Sequence, residues 1–175
     1  NGSRVTCVEN AYEHRTIFAY DSAYRVTGIQ DANGSLSSYG YNALGRLSAV
    51  DLPDTDVGGV DIEYAYGLGE GAGFVQERRY GAGSSVQASI NFVDGFGRPL
   101  QKSLQIGDGT ALVQNTYYDG RFLRAGESQA VEVSGENALD FHGGVYDMEA
   151  QSSVSTRIVY EDSPLARVVE EYPLG

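Results

Sequence analysis

The sequence contains few of the residues on which disulfide frameworks, thiolate metal sites and nucleic-acid interfaces depend. It has one cysteine in 175 residues, so no disulfide can form within the chain and no thiolate zinc site can be assembled. Tryptophan is absent, and proline and histidine occur only four times and twice. Lysine occurs once, and the formal net charge of −12 leaves no basic face for nucleic acid or an anionic membrane. We expect neither of these partners.

Long apolar runs are also missing. No run approaches the roughly 20 residues that a membrane-spanning helix needs, so we expect no membrane insertion. The N-terminal residues lack the basic and apolar segments of a signal peptide, and no methionine precedes Asn1. We expect the chain to be a piece of a longer protein.

Glycine and tyrosine are abundant, with 23 and 13 occurrences, and 41% of the residues are hydrophobic. Tyrosine and β-branched residues favour strands, and glycine supplies the positive φ of tight turns. The sequence therefore predicts an all-β chain of antiparallel hairpins that form one continuous curved sheet. The region 125–156 is expected to be mostly strand, with a short helix around 135–141 as the one exception considered.

Two segments repeat one pattern. Residues 20–29 read YDSAYRVTGI and residues 41–50 read YNALGRLSAV, in a register of 21 residues (41 − 20). Between them, Asn33-Gly34 predicts a two-residue hairpin turn. Each unit is a strand, a turn and a returning strand, which is too small to bury its own apolar face and must stack on its neighbours.

Weaker copies follow. Residues 92–101 (FVDGFGRPLQ) match the pattern with one inserted residue, 118–121 (YDGR) form a contracted copy, and an expanded copy begins at Tyr160. The residues predicted to carry the repeat structurally are Tyr20, Asp21, Arg25, Tyr41, Asn42, Gly45, Arg46, Asp94, Gly97, Arg98, Tyr118, Asp119, Tyr160 and Arg167.

These motifs resemble the Rhs/YD-repeat family of large secreted bacterial proteins, whose pattern is Tyr-Asp-x-x-Gly-Arg-Leu with an Asp-x-x-Gly turn about ten residues later. Residues 41–47 match with Asn42 for aspartate, and Asp31-Ala32-Asn33-Gly34 supplies the second turn. The second half resembles a segment that precedes the main repeat array in some members. We divide the chain into YD-type repeats (1–60), a glycine-rich hairpin region (61–90) and a divergent YD-like segment (91–175), all in one array.

The resemblance implies a secreted or cell-surface protein whose repeats spiral into a hollow shell, which encloses a toxin domain in some members, while related proteins serve adhesion. The expected function is structural and non-enzymatic, without cofactors. The expected partners are the remainder of a longer chain or identical copies, and further an enclosed toxin domain or a surface glycan. An extracellular adhesion or carbohydrate-binding module is the alternative, because tyrosine rings stack on sugar faces.

Candidate chemistry is sparse, and we predict no catalytic or metal-binding residues. Most aspartates lie at predicted turns, where they need no further role. The glycine-rich 67–74 lacks the lysine and helix of a phosphate-binding loop, and the aspartates of 51–61 lack the spacing of an EF-hand, although calcium binding there stays open. A hydrolase built on Asp140 and His142 also stays open, provided that a pocket joins His142 to a carboxylate.

Overall fold

The chain is built from β-strands joined by short turns. The computed structural model describes residues 4–53, 59–68, 72–81, 86–142, 154–162 and 166–173, and these residues form 14 strands and no helix. The strands are β1 (Cys7–Glu9), β2 (Arg15–Tyr20), β3 (Val26–Gln30), β4 (Leu36–Tyr41), β5 (Leu47–Asp51), β6 (Ile62–Leu68), β7 (Gly73–Tyr80), β8 (Val86–Val93), β9 (Pro99–Gly107), β10 (Thr110–Tyr118), β11 (Arg124–Ser128), β12 (Val131–Ser134), β13 (Val154–Tyr160) and β14 (Val168–Pro173).

Strand order follows chain order. Each strand from β1 to β11 is hydrogen-bonded to the next, β11 is followed by β13 and β14, and β12 pairs with β10. The pairings whose registers are resolved are antiparallel, as in β2–β3 (Phe18 opposite Ile29) and β4–β5 (Tyr39 opposite Val50). The predicted all-β fold of antiparallel hairpins in one sheet is confirmed. None of the described residues forms a helix long and apolar enough to cross a membrane.

The chain divides into two compact units. The first comprises residues 1–65 and 77–87, and its strands are mostly half-buried, with Val50 and Asp61 among its few buried side chains. The second comprises residues 66–76 and 88–175. It holds two clusters of buried apolar side chains, built around Ala72, Ile90 and Phe92 and around Ala111, Val113 and Ala138.

The segment after β12 packs against both clusters without forming a helix. Residues 136–139 are a turn, in which the Ala138 N–H donates to the Gly135 carbonyl (3.2 Å) and the Asp140 N–H donates to that of Asn137 (3.0 Å). These bonds span three residues, so no α-helical ladder develops. The helix considered around 135–141 is therefore wrong. The prediction that 125–156 is mostly strand is confirmed for the described residues, which include β11, β12 and the start of β13. Residues 143–153 lie outside the described residues.

A buried serine marks the irregularity between β11 and β12, which both pair with β10. The hydroxyl of Ser128 accepts the Asn115 N–H (2.9 Å) and donates to the Gln129 carbonyl (2.8 Å). These bonds satisfy backbone groups where the ladder is interrupted. Ser128 thus has a structural role.

Candidate functional site

Among the described residues, six turns share one hydrogen-bond pattern, and we call them the Asx turns because each begins with asparagine or aspartate. At Asp94, the backbone N–H donates to the Arg98 carbonyl (3.0 Å) and the Asp94 carbonyl accepts the Gly97 N–H (3.0 Å). The same two bonds close the other five turns. The first residues of the six turns are Asn10, Asp21, Asp31, Asn42, Asp94 and Asp119.

The side chain of the first residue completes each Asx turn. The Asp94 Oδ1 accepts the N–H groups of Phe96 (2.8 Å) and Arg98 (2.9 Å). The Asn42 Oδ1 accepts those of Leu44 and Arg46 at 3.0 Å each. Because one acceptor oxygen suffices, an amide replaces the carboxylate without changing the turn.

The fourth residue of each Asx turn has a positive φ. Glycine holds this position in three turns, with φ of 89° at Gly34, 78° at Gly45 and 79° at Gly97. Register shifts between Ala19/Tyr20, Gly40/Tyr41, Phe92/Val93 and Tyr117/Tyr118 show that the pairing skips one residue on the strand that follows each of four turns. The positive φ of the fourth residue and the two backbone bonds are the geometry of a three-residue hairpin loop with a left-handed residue.

Two aromatic residues occupy the glycine position. Tyr24 has a φ of 68° and Phe122 a φ of 63°, a conformation that costs bulky residues free energy. Each ring lies against an arginine: the Arg4 guanidinium carbon is 3.7 Å from the Tyr24 ring centroid, and that of Arg98 is 4.8 Å from the Phe122 centroid. These cation–π contacts offset part of the backbone cost.

Three details of the sequence reading are wrong. Asn33-Gly34 is not a two-residue turn, because the loop is the Asx turn Asp31–Ser35 and of these two residues only Gly34 has a positive φ. The copy at 92–101 carries no inserted residue: Asp94 and Arg98 bond as Asp21 and Arg25 do. Hairpin registers, which the local pattern does not reveal, decide both points.

The third correction concerns the copy at 118–121, which is not contracted. The Asp119 N–H donates to the Leu123 carbonyl (2.8 Å), so this turn has the full five residues. Leu123 stands where arginine stands in the other copies. Arg121 lies two residues earlier and reaches the Asp119 Oδ2 at 3.3 Å.

In two of the turns, an arginine at the fifth position forms an ion pair with the aspartate at the first. The Arg25 Nε donates to the Asp21 Oδ2, and the Arg98 Nε donates to the Asp94 Oδ2, both at 2.6 Å. At Asp21, the Arg25 backbone N–H is the main cause that lowers the carboxyl pKa. Burial is the largest influence on the pKa of Asp94 and acts to raise it, but the hydrogen bonds from Arg98 and the Phe96 N–H, together with the charge of Arg98, outweigh burial and the pKa is lowered.

The arginine of one copy also contacts the tyrosine that begins the next described copy. The Arg25 guanidinium carbon lies 4.6 Å from the Tyr41 ring centroid, and the Tyr41 hydroxyl donates to the Val26 carbonyl (2.8 Å). In the second unit, Arg98 lies 4.6 Å from the Tyr118 centroid, and the Tyr118 hydroxyl donates to the carbonyl after Arg98 (2.9 Å). We call this combination the arginine–tyrosine link.

A further copy of the link went unrecognised in the sequence. Arg4 lies 5.6 Å from the Tyr20 ring centroid, and the Tyr20 hydroxyl donates to the carbonyl of the residue after Arg4, Val5 (2.8 Å). The spacing could have revealed it, because 16 residues separate Arg4 from Tyr20 as they separate Arg25 from Tyr41 (20 − 4 and 41 − 25).

The Asx turn at Asn10 also went unrecognised. Its fourth residue is Glu13, with a φ of 63°, and its fifth, His14, donates its N–H to the Asn10 Oδ1 (3.1 Å). The signal lay in the spacing, since Asn10 precedes Asp21 by 11 residues as Asp31 precedes Asn42 (21 − 10 and 42 − 31).

The last predicted copy is a longer turn. Tyr160 ends β13 opposite Val168 of β14. The Glu161 N–H donates to the Arg167 carbonyl (3.0 Å), and the Arg167 Nε donates to the Glu161 Oε1 (2.9 Å). Glutamate thus holds arginine here as aspartate does in the shorter turns. Ala166, which precedes Arg167, has a φ of 46°.

The second unit contains a cavity of about 650 Å³, lined by side chains of β7, β8 and the segment after β12. His142 and Asp140 both line it, so the condition set for a hydrolase is met and this alternative stays open. Asp140 is the only carboxylate and no serine occurs among the described lining residues. A glycosidase pair or a serine nucleophile is therefore not supplied by them.

The described aspartates of 51–61 form no metal centre. Asp61 is 4% exposed, and its Oδ2 accepts the Leu52 N–H at 2.5 Å. Asp54 and Asp56 lie outside the described residues. Among the residues that are described, no three histidine, cysteine or acidic side chains lie close enough to hold a metal ion. The glycine-rich 67–74 connects the neighbouring strands β6 and β7, and 69–71 lie outside the described residues.

Two family models match the chain. The RHS Repeat model matches residues 20–57, and a domain of unknown function, DUF6443, matches residues 72–175, which is more than half of the chain. No curated protein matches. The division into 1–60, 61–90 and 91–175 stays a prediction.

Among solved structures, the crystal structure of TcdB2-TccC3-Cdc42 aligns with 95% of this chain at 12% identity. The TM-score is 0.37, and the aligned part is 12% of that chain's length. Because the aligned part is so small a share of that chain, most of that protein has no counterpart in the present sequence.

Proposed function

Because the chain belongs to the Rhs/YD-repeat family, its larger part being a DUF6443 domain, we propose that it is a structural, non-enzymatic segment of a larger secreted or cell-surface protein. Its hairpins extend a β-sheet scaffold, and it binds the remainder of a longer chain or further copies of itself. A scaffold of this kind needs a contact that repeats from hairpin to hairpin, and the arginine–tyrosine link is such a contact.

The observation that carries this proposal is the link at Arg4. Arg4 contacts Tyr20 as Arg25 contacts Tyr41, although Arg4 precedes the first strand. The Arg4 side chain also donates to the Asp21 carbonyl (3.3 Å). The β1 end of the sheet thus carries the same contact as the interior hairpins. Such an end suits continuation by one more hairpin.

The outer edge of β1 is suited to strand addition. Among the described strands, β1 pairs only with β2. The Phe18 N–H donates to the Thr6 carbonyl (2.9 Å), and because backbone groups alternate sides along an antiparallel strand, the N–H of Cys7 points to the free edge. Unpaired N–H and C=O groups at an edge template the pairing of another strand.

Sedimentation velocity under reducing conditions tests the proposal. Cys7→Pro removes the outward N–H without removing a bond to β2, whereas Cys7→Ser keeps the N–H and excludes disulfide dimers. We expect the parent chain and Cys7→Ser to self-associate with rising concentration, and Cys7→Pro to associate less. A parent chain that stays monomeric at every concentration while fully folded contradicts the proposal.

For the larger protein, the proposal places this sheet in a secreted shell or surface scaffold. The full open reading frame distinguishes the two roles that the family resemblance implies. A variable toxin domain after the repeats supports enclosure, whereas an anchor or sorting domain supports adhesion. A scaffold role also predicts no hydrolysis of ester, peptide or glycosidic substrates by the chain, and turnover that His142→Gln abolishes would restore the hydrolase alternative.

A further inference from the structure

In each arginine–tyrosine link, the tyrosine is level with the arginine in the register of two neighbouring strands. Cys7 of β1 is opposite Ile17 of β2, and three residues further along, Arg4 is level with Tyr20 (7 − 3 and 17 + 3). The same offset gives the other two links: Arg25 with Tyr41, counted from Gly28 opposite Ser38, and Arg98 with Tyr118, counted from Gln101 opposite Asn115. The tyrosine of a link therefore ends the strand that pairs with the strand after the arginine.

Strand β14 carries the arginine half of such a link. The Glu161 carboxylate holds Arg167 by two bonds, from Nε to Oε1 (2.9 Å) and from Nη2 to Oε2 (3.4 Å). The Arg167 side chain is 72% exposed, and no ring of the described residues lies over its guanidinium. The carboxylate thus orients the guanidinium in its plane and leaves its face open, as a ring that stacks on it requires.

The carbonyl after Arg167 faces the outer edge of β14. The Arg167 carbonyl accepts the N–H at the start of the turn (3.0 Å) and so points to β13, and because backbone groups alternate sides, the Val168 carbonyl points away from β13. The carbonyl after Arg25 is oriented in this way and accepts the Tyr41 hydroxyl. Among the described strands, β14 pairs only with β13, and Val168 and Val169 are 54% and 61% exposed. This edge is accessible to a further strand.

A second folded copy of the chain cannot complete this link. The strands that end in a link tyrosine are β2, β4 and β10, and each is already paired on both sides. A strand with a free edge must therefore come from outside these hairpins. Exposed Glu170 and Glu171 on β14 disfavour an acidic strand, because like charges opposite each other weaken strand pairing.

We propose that the outer edge of β14 binds an extended, non-acidic segment that runs antiparallel to it and ends in tyrosine. The ring of that tyrosine stacks on Arg167, and its hydroxyl donates to the Val168 carbonyl. This inference rests on the proposed function and assigns the occupant of this edge to an additional hairpin strand and not to a second folded copy.

A synthetic peptide with the sequence of residues 15–21 (RTIFAYD) tests the assignment, because this segment supplies the tyrosine of the link at Arg4. Titration of the 175-residue chain is expected to shift the NMR signals of the β14 backbone amides saturably. A peptide with Tyr20→Phe should bind about three- to tenfold more weakly, which is the effect of one hydrogen bond. A peptide with Tyr20→Leu, which also lacks the ring, should bind more weakly still.

Variants of the chain separate the cation from the strand edge. Arg167→Gln removes the cation and should bind the RTIFAYD peptide about two- to fivefold more weakly, but the Tyr20→Leu peptide as the parent chain does. Arg79→Gln is the matched control, because Arg79 is also exposed and paired with a glutamate (Nε to Glu77 Oε1, 2.6 Å). It should bind both peptides as the parent chain does.

The result that would overturn the assignment is equal affinity of the parent chain for the tyrosine and leucine peptides, or no saturable shift at the β14 amides. Either result leaves the proposed scaffold role standing, since the sedimentation of Cys7→Pro tests that role at the opposite edge of the sheet. The parent titration with the three peptides decides even if Arg167→Gln fails to fold.

Discussion

The guanidinium carbon of Arg98 lies 4.6 Å from the centroid of the Tyr118 ring, the same distance that separates Arg25 from Tyr41 in the other unit. In both places the arginine also donates to an aspartate four residues before it. A planar guanidinium can pair with a carboxylate in its plane and stack on a ring with its face, which an ammonium cannot do. This dual contact gives a physical reason why arginine outnumbers lysine in the chain.

The link predicts a measurable coupling between Arg98 and Tyr118. We expect Tyr118→Phe to lower the free energy of unfolding by about 1 kcal/mol, because it removes one hydrogen bond. Two double-mutant cycles isolate the cation–π contact. Combined with Arg98→Lys, Tyr118→Leu should give a coupling energy of about 0.5–1 kcal/mol because it removes the ring, whereas Tyr118→Phe, which keeps the ring, should give none. Urea denaturation measures it. Equal coupling energies in the Phe and Leu cycles would show that Arg98 is not stabilised by the face of the Tyr118 ring.

Two glycines of one turn separate backbone strain from packing. Neither Gly95 nor Gly97 has an atom within 4 Å of an added Cβ, but only Gly97 has a positive φ, 79°. Gly97→Ala should therefore destabilise the chain by about 1–2 kcal/mol, and Gly95→Ala should change stability by no more than about 0.5 kcal/mol or raise it slightly. Thermal or urea unfolding of both variants checks this. Equal effects would contradict the left-handed assignment of Gly97.

The Asx turns predict the direction of acid destabilisation. Burial acts to raise the folded-state pKa of Asp94, but the hydrogen bonds from Arg98 and Phe96 and the charge of Arg98 together lower it. The folded state therefore binds fewer protons than the unfolded state, whose aspartates titrate at about 3.9. This stabilisation is present above about pH 4 and is lost as the pH falls through the lowered value. Asp94→Asn keeps an acceptor for both turn N–H groups, as Asn42 does, but cannot titrate.

Asp94→Asn should therefore flatten the dependence of the unfolding free energy on pH between about pH 5 and 2.5, measured by urea denaturation. The reciprocal change, Asn42→Asp, places a carboxylate next to Arg46 in an equivalent turn. This change should steepen the dependence of the unfolding free energy on pH. A parent and an Asp94→Asn variant with parallel profiles would contradict the role of this carboxylate.

Removal of the Gln101 amide is expected to weaken the protection of the His142 amide against hydrogen exchange. Gln101→Leu keeps the volume but leaves the Asp140 carbonyl and the His142 N–H without their partner. We expect a loss of about 2–3 kcal/mol in unfolding free energy and faster hydrogen exchange at the His142 amide. Gln105→Leu on the same strand, whose amide makes only an exposed bond to the Gly107 carbonyl (3.4 Å), should stay within about 0.5 kcal/mol of the parent. Unchanged exchange at His142 would show that Gln101 does not hold the segment.

The fold class followed from local chemistry. Tyrosine and β-branched residues separated by Asp-x-x-Gly turns make hairpins wherever they occur, because the aspartate accepts the turn N–H groups and the glycine adopts the positive φ. Residues such as Asp21, Asn42, Gly45 and Gly97 could therefore be assigned to turns from the sequence alone. The same reasoning failed where another residue takes the glycine position, as Phe122 does, since the arginine that stabilises its ring comes from 24 residues earlier.

What the tertiary structure decided depends on contacts between residues that are distant along the chain. The pairing of Gln101 with the backbone around Phe141 joins positions about forty residues apart. No local pattern encodes it, because the glutamine is buried only when the covering segment folds over the sheet. The sequence by itself thus determined the strands, the turns and the absence of a basic or thiolate site. Packing across the sheet alone decided where a cavity forms and which buried side chain holds the segment that lines it.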